Sequence, residues 1–324
     1  MQGGGADSLI FGPVPSRRLG RSLGINNIPP KACSYSCVYC QLGTTRTTEI
    51  VPRVFHAPER LLAAVNKHLS RVRERGEWVD YLTFVPDGEP TLDSGLGETI
   101  ERLRPLGIPV AIISNASLIW RADVRETLAK ADWVSLKVDA VDDILWRRIN
   151  RPHASLDHRA ILDGMLTFAG EYQGTLATES MLVAGLNDSA GAAGELADFL
   201  EKLAPGVAYL SIPTRPPAEK GICPPAEAGV NHVYQTVSQQ VEHVELLTGY
   251  EGNAFAASGN PVADLLAITA VHPMREEAVR ELLAKAGAGW ELVEGLLDEH
   301  RLVQTEYQGR KFYMRRLEQQ AGGR

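Results

Sequence analysis

Three of the chain's four cysteines fall within eight residues, CSYSCVYC (33–40), at C-x3-C-x2-C spacing. In a reducing compartment structural disulfides are uncommon, and thiols this close bind metal or do redox chemistry. A structural zinc ion takes four closed ligands, usually as two pairs. No second pair follows here, because the nearest downstream histidine, His56, has no partner at ligand spacing. A four-iron cube takes one thiolate per iron. Cys33, Cys37 and Cys40 would hold three irons and leave the fourth open to a ligand that takes part in chemistry. That reading is favoured over zinc or a chance group of thiols. Cys223, in GICPPAE, has no cysteine partner in sequence and reads as an incidental thiol.

Such a site needs a scaffold that brings distant loops together. After the cysteine loop, 57–75 has apolar residues at helical spacing with Pro58 near its start, and WVDYLTFV (78–85) reads as a buried strand. The unit then repeats. Strands are expected at 108–114, 133–140, 175–183 and 207–213, with helical stretches between them and a last long helix over 226–243. SLGINNI (22–28) would bring the strands to six. Strands alternating with helices mean parallel β–α units, and in barrels of such units the loops after the strands gather at one face. CSYSCVYC, DGEP (87–90), SNAS (114–117), KVDA (137–140), GLND (185–188) and PTRP (213–216) all follow strands, as a single site requires.

Composition sets bounds on this. The 324 residues are enough for a barrel-sized domain plus a small extra one. Hydrophobic content of 44% and charged content of 23% are ordinary for a soluble globular protein. A net charge of −7 argues against non-specific coating of nucleic acid. No apolar run reaches the roughly 18 residues of a membrane span. The N-terminal residues lack a secretory pattern, so the cytoplasm is the expected location.

The cysteine loop, with an aromatic before its last cysteine and a GEP-type motif one β–α unit later, resembles the radical S-adenosylmethionine (SAM) superfamily. The opening FGPVPSRRLGRSLGINNIPPKACSYSCVYCQLG (11–43) is more closely similar to one group of that superfamily without a settled substrate, placed near the wyosine-synthesising tRNA enzymes. The similarity runs from about Phe11 into the C-terminal region, including VHPM (271–274). The resemblance implies a [4Fe-4S] cluster on Cys33, Cys37 and Cys40 whose open iron chelates SAM. Reductive cleavage then gives methionine and a 5′-deoxyadenosyl radical that abstracts hydrogen from a substrate. A reductant such as flavodoxin or ferredoxin is implied as partner.

Residue by residue, the resemblance sets Tyr39 beside the adenine, where a packing aromatic is the plainer reading. Gly88, Glu89 and Pro90 would hold the methionine amino group, with Asp87 standing where the family commonly has glycine. Ser114 and Asn115 end the third strand and could contact the ribose or the methionine carboxylate. Lys137 and Asp139 share a strand face. Inward they could salt-bridge near the ribose or carboxylate, and outward they would be surface charges. The apolar VSLKV context favours inward. Arg151 could clamp a carboxylate or be a loop residue, and Gly185 and Asn187 resemble a segment lying against adenine. Arg17, Arg18 and Arg21 form a basic patch near the cluster loop, fit either for an anionic substrate or for solvent. No catalytic side chain is identified.

Residues 250–261 read as a connection that divides a barrel (1–255) from a small domain (256–324). Helical stretches at 263–274, 275–287 and 290–301, then a hairpin over 302–316, look like a winged helix. Arg310, Lys311, Arg315 and Arg316 could give its wing to nucleic acid, but the acidic pairs at 276–277 and 298–299 offset them, and a structural or substrate-presenting role is favoured. The expected fold is therefore α/β, a partial (β/α)6 TIM-like barrel with a small C-terminal winged-helix-like domain. The expected function is radical SAM chemistry on an unidentified substrate. The alternatives are a tRNA-modifying enzyme of the same superfamily and, from another class, a zinc-stabilised DNA-binding regulator. The lack of a second cysteine group departs from wyosine synthases and methylthiotransferases and weakens the tRNA alternative.

Overall fold

A computed structural model describes residues 9–248, 260–271 and 273–316 of the protein. The chain opens with a hairpin, β1 (Ile10–Ser16) and β2 (Gly20–Ile25), followed after the cysteine loop by α1 (Pro58–Glu74). The repeating part contains β3 (Tyr81–Phe84), α2 (Leu96–Leu103), β4 (Val110–Ser114), α3 (Ala122–Leu128) and β5 (Trp133–Lys137). It continues through α4 (Asp143–Asn150), α5 (His158–Glu171), β6 (Thr175–Met181), α6 (Ala190–Leu203), β7 (Val207–Ser211), α7 (Glu227–Ser238) and β8 (Val244–Leu247). The eight strands form one sheet in the order β1 to β8. β2 to β8 are parallel, and β1 alone is antiparallel to its neighbour.

The six expected strands are all present, and the sheet gains one at each edge. β1 holds proline and glycine (IFGPVPS), which hide its strand character, and the four residues of β8 follow directly on the range 226–243 that reads as a long helix. That helix stops at Ser238. The helices form for local reasons. In α1, Pro58 stands in the first turn and Leu61, Val65, Leu69 and Val72 bury one stripe. Asp142, Asp157 and Ser189 cap α4, α5 and α6 with their side-chain oxygens.

Side-chain alternation along the strands sorts the two faces of the sheet. Val110, Ile112, Val134, Leu136, Ala208 and Leu210 are buried in the main core together with residues of the helices. Their neighbours Ala111, Trp133, Ala177 and Tyr209 join a separate cluster on the concave face. Leu19, in the β1–β2 turn, packs into that cluster. β2 enters the sheet beside the start of β3. The turn therefore plugs the end of the half-barrel opposite the cysteine loop.

The C-terminal part consists of α8 (Pro261–Val271), β9 (Met274–Arg275), α9 (Glu276–Lys285), α10 (Glu291–Asp298), β10 (Leu302–Tyr307) and β11 (Arg310–Arg315). Its three strands form an antiparallel sheet in the order β10, β11, β9. The helical stretch expected over 263–274 is divided: Met274 and Arg275 leave the helix to pair with β11. This part has its own core, including Leu265, Met274, Leu282, Val293 and Tyr313. It meets the barrel through Ala267 of α8, which packs with Phe11, Val14 and Val85, and through Tyr307, whose hydroxyl donates to the Pro213 carbonyl at 3.1 Å. The expected boundary at 255/256 and most of the 250–261 connection lie outside the described residues.

Leu19 is 3% exposed and fills the concave floor, so Leu19→Ala should cost about 2–5 kcal/mol in urea unfolding. Arg17→Ala, two residues away on the exposed side of the same turn, should change stability by less than about 0.5 kcal/mol.

Candidate active site

Two backbone clamps set the cysteine loop at the C-terminal ends of the strands. On one side Lys31 N–H donates to the Asp87 carbonyl at 2.7 Å, and Glu89 N–H donates to the Ala32 carbonyl at 2.9 Å. Gly88 lies between these bonds, and a Cβ there would stand 1.9 Å from the Ala32 oxygen, so only glycine fits. On the other side Ser36 N–H donates to the Asn150 carbonyl at 3.0 Å and Val38 N–H to the Ile149 carbonyl at 2.9 Å, at the end of α4. The three thiols are half-buried on the wall of a cavity of about 310 Å³, whose lining includes Tyr39, Gly88, Ser114, Asn115 and Lys137.

The two acids of DGEP have opposite surroundings. Glu89 accepts from Thr91 N–H (3.0 Å), the Thr91 hydroxyl (2.7 Å), the Ser114 hydroxyl (2.7 Å) and Asn115 N–H (2.7 Å). Burial raises its carboxyl pKa, and these donors oppose the rise. The carboxylate is committed to joining the end of β3 to the end of β4. Asp87 is equally buried, yet neither of its carboxylate oxygens has a hydrogen-bond partner. Burial pushes it up to about 7, against the pull of Arg315, Lys31 and neighbouring Asn26.

Polar side chains occupy the concave face above the Leu19 plug. Glu179 of β6 pairs with Lys137 at 2.9 Å and with Arg18, and accepts from the Ser211 hydroxyl at 3.1 Å. Burial alone would raise the Glu179 pKa, but Lys137 and Arg18 outweigh it and hold the carboxyl well below the usual range. Burial would likewise lower Lys137, but Glu179 and Asp139 keep its ammonium charged. Asp139, fully buried, lies 4.0 Å from the Lys137 nitrogen and accepts from the Tyr39 hydroxyl, from Asn150 Nδ2 at 2.6 Å and from Met181 N–H at 2.8 Å. A continuous chain of hydrogen bonds and ion pairs thus runs from Arg18 to the cysteine loop.

Several residues expected at the site lie elsewhere. Pro90 is buried behind the cavity, where it begins a short 3₁₀ turn. Arg151 caps α4 in a left-handed conformation and pairs with Glu219 away from the cavity lining. Gly185 turns the chain at φ +68°. Asn187 closes that turn by donating to the Asp139 and Met181 carbonyls and accepting from Val183 N–H. Neither lines the cavity. The three opening arginines form no patch beside the cysteines: Arg17 is exposed in the plug turn, Arg21 pairs with Glu77 at that end, and Arg18 turns inward to Glu179. Glu179, Asn150 and Lys31 escaped the sequence reading. The signal for Glu179 was its parity in TLATESM, which puts it on the same face as Ala177 and Met181.

The thiols can take metal charge but not as a closed mononuclear site. Among the described residues no group of three or more His, Cys, Asp or Glu side chains converges on one ion. Burial pushes the Cys37 thiol up to about 12 and Cys33 higher still, with neighbouring Asp139 and Cys37 adding to the respective shifts. Without a cation these sulfurs stay protonated, and a bound metal would supply the charge that favours thiolate.

Glu179 and Asp87 affect stability with opposite signs. Folding lowers the Glu179 pKa, so its contribution is present above the unfolded value of about 4.3 and is lost as pH falls through the acid range. Glu179→Gln should flatten that acid limb in thermal unfolding of the apoprotein. Folding raises Asp87 to about 7, so stability declines as pH rises from the unfolded value of about 3.9 towards neutrality. Asp87→Asn should be more stable than the parent at pH 8, and the gap should close towards pH 4.

Comparison with known proteins agrees with this architecture. Residues 27–200 match the Radical SAM superfamily. The chain is 45% identical to the UPF0026 protein MJ1312 of Methanocaldococcus jannaschii over 96% of its own length and 97% of that protein's. It is 37% identical to a UPF0026 protein of Helicobacter pylori over 65% of this chain and 68% of that one. Among solved structures, a radical SAM methyltransferase from Sphaerobacter thermophilus aligns with a TM-score of 0.53 at 17% identity, covering 70% of this chain and 66% of that one. TYW1 with a lysine–pyruvate adduct bound gives a TM-score of 0.53 at 18% identity, over 68% and 74% of the two chains, and at such identities the likeness is one of fold. The chain belongs to the radical SAM superfamily and is an enzyme of S-adenosylmethionine-dependent radical chemistry.

Proposed function

We propose that Cys33, Cys37 and Cys40 hold three irons of a [4Fe-4S] cluster and that SAM occupies the adjoining cavity of about 310 Å³. The observation that carries this is the meeting of three thiols, the Gly88 backbone and a partly buried lysine–carboxylate pair around one cavity. When bound, such a cluster supplies one electron for reductive cleavage of SAM, and the radical so formed abstracts hydrogen from the substrate.

The protein's own part is positioning and shielding. Gly88 lets the end of β3 close on Ala32, where any side chain would collide, and so holds the cysteine loop against the cavity it also lines. Glu89, with its oxygens already committed, acts by fixing Ser114 and the Asn115 backbone rather than by gripping an ammonium itself. Lys137 and Glu179, together on the concave floor, are suited to carboxylate and hydroxyl groups of a nucleoside or amino acid. Tyr39 lines the cavity, with the Lys137 ammonium 5.1 Å from its ring centroid. Asp139 and Asn187 act from behind, through Tyr39 and the turn after β6. Arg151 and Gly185 take no direct part in this reading.

The C-terminal part, assigned here to a domain of residues 256–324 beside a barrel of 1–255, has the element order helix, strand, helix, helix, strand, strand, which supports a winged-helix reading. Its basic residues do not favour nucleic acid as a set: Arg315 is near enough to the barrel's Asp87 to pull that carboxyl pKa down, and Lys311 lies 3.7 Å from Glu276. A lid or substrate-presenting role fits this orientation better than tRNA recognition. Among the described residues no helix is long and apolar enough to cross a membrane. A cytoplasmic setting with a flavodoxin or ferredoxin as electron donor completes the proposal.

Anaerobically purified protein should be brown and carry about four irons per chain. Dithionite and SAM should then yield 5′-deoxyadenosine, and Cys37→Ala should yield none above a protein-free control. Colourless protein with one zinc and no cleavage would instead favour the regulator.

A further inference from the structure

Each thiol of the cysteine loop meets one nitrogen donor from outside the loop's own x3 and x2 segments. Lys31 Nζ lies 3.5 Å from Cys40 Sγ, Asn115 Nδ2 lies 3.6 Å from Cys33 Sγ, and Asn150 Nδ2 lies 3.5 Å from Cys37 Sγ. These donors come from the turn before the loop, the end of β4 and the end of α4. Local sequence does not explain their convergence.

All three donors are held in place by shorter bonds. Lys31 Nζ donates to the Gly43 carbonyl at 2.6 Å, Asn115 Nδ2 to the Ser34 hydroxyl at 2.9 Å, and Asn150 Nδ2 to Asp139 at 2.6 Å. Chemistry also fixes which way the two amides face. Ser117 N–H, which can only donate, bonds Asn115 Oδ1 at 2.9 Å, and the Asp139 carboxylate accepts from Asn150 Nδ2. The Nδ2 groups must therefore be the atoms turned to sulfur. Lys31 adds a positive charge and does so at φ +65°, a region costly for any residue with a Cβ. Its backbone N–H to the Asp87 carbonyl holds it there.

We propose that Lys31, Asn115 and Asn150 are positioning residues that set the reduction potential of the cluster, one N–H···S contact per cysteine, with Lys31 the strongest lever. The inference rests on the cluster reading given above. The step concerned is the transfer of one electron from a low-potential reductant into the oxidised cluster, with no bond made or broken. The added negative charge spreads onto the thiolate sulfurs, so a donor facing them stabilises the reduced form more than the oxidised form and raises the potential. Lys31 combines charge with the hydrogen bond, and charge-assisted contacts are about twice as strong as neutral ones. The Asp87 carboxylate, buried near Lys31 with neither oxygen hydrogen-bonded, supplies an opposing charge when ionised.

The test is a redox titration, followed by electron paramagnetic resonance, of the reconstituted full chain as parent, Lys31→Met, Lys31→Arg, Asn115→Ala and Asn150→Ala. Lys31→Met should make reduction about tenfold less favourable, a fall of about 59 mV for one electron. The two alanine variants should shift in the same direction by less, and Lys31→Arg should return close to the parent. A parent-like potential in a fully loaded Lys31→Met protein overturns the proposal. So does an equal fall in Lys31→Met and Lys31→Arg, which would assign the effect to packing. Failure of all four variants to load iron overturns it in favour of a role in assembly. A parent without iron–sulfur absorption refutes the cluster reading itself, a result distinct from the others.

Discussion

The contact of Gly88 with Ala32 governs how the site is built. Two chain segments, around Lys31–Ala32 and Asp87–Glu89, are joined there by a pair of backbone hydrogen bonds, and the space between them admits no side chain. The clamp sets the first cysteine against the end of β3, while the bonds from Ser36 and Val38 set the second half of the loop against the end of α4. A loop held from both sides can present its sulfurs to one cavity without a disulfide or a closed metal site to shape it. The cost is concentrated at Lys31, which adopts a positive φ to make the turn.

Charge inside the half-barrel is the second constraint. Arg18, Lys137, Glu179 and Asp139 all lie on the concave side, where unpaired ions would be costly, and each has a partner of opposite sign. The inward turn of Arg18 depends on the β1–β2 hairpin, because Leu19 beside it seals the opposite end of the barrel. The edge strand most obscured in sequence thus completes both the apolar floor and the ion-pair network. Asp87 is the exception, its carboxylate buried with neither oxygen hydrogen-bonded, within the electrostatic reach of Arg315 from the C-terminal part.

That proximity brings the C-terminal part near Asp87, a residue of the cavity lining. Ala267 packs onto β1, Tyr307 bonds to the loop after β7, and Arg315 stands near Asp87. Among the described residues none of this part lines the cavity itself, and its contacts with the barrel run along β1 and the loop after β7. Of its four basic hairpin residues, Arg310, Lys311 and Arg316 are exposed and Arg315 is half-buried.

The sequence by itself determined the parallel β–α repeat, the three thiols, the GEP-type motif one unit later and the inward parity of Lys137 and Asp139. These follow from short-range rules: cysteine spacing, period-two alternation and the polarity of residues ending a strand. It did not determine which partner each polar group takes. Glu179 was hidden because an acidic residue in a strand has no short-range signal beyond parity. Gly185, Asn187 and Arg151 were assigned to the cofactor from motif position, but the structure commits Asn187 and Arg151 to the protein's own chain and leaves Gly185 at an exposed turn outside the cavity. The three arginines near the N-terminus were read together because they are adjacent in sequence, and a tight turn sends each to a different environment. Only tertiary structure decides such pairings, because a buried ion's energy depends on the opposite charges within a few ångströms, and Arg18 and Glu179, one such pair, stand 161 residues apart in sequence.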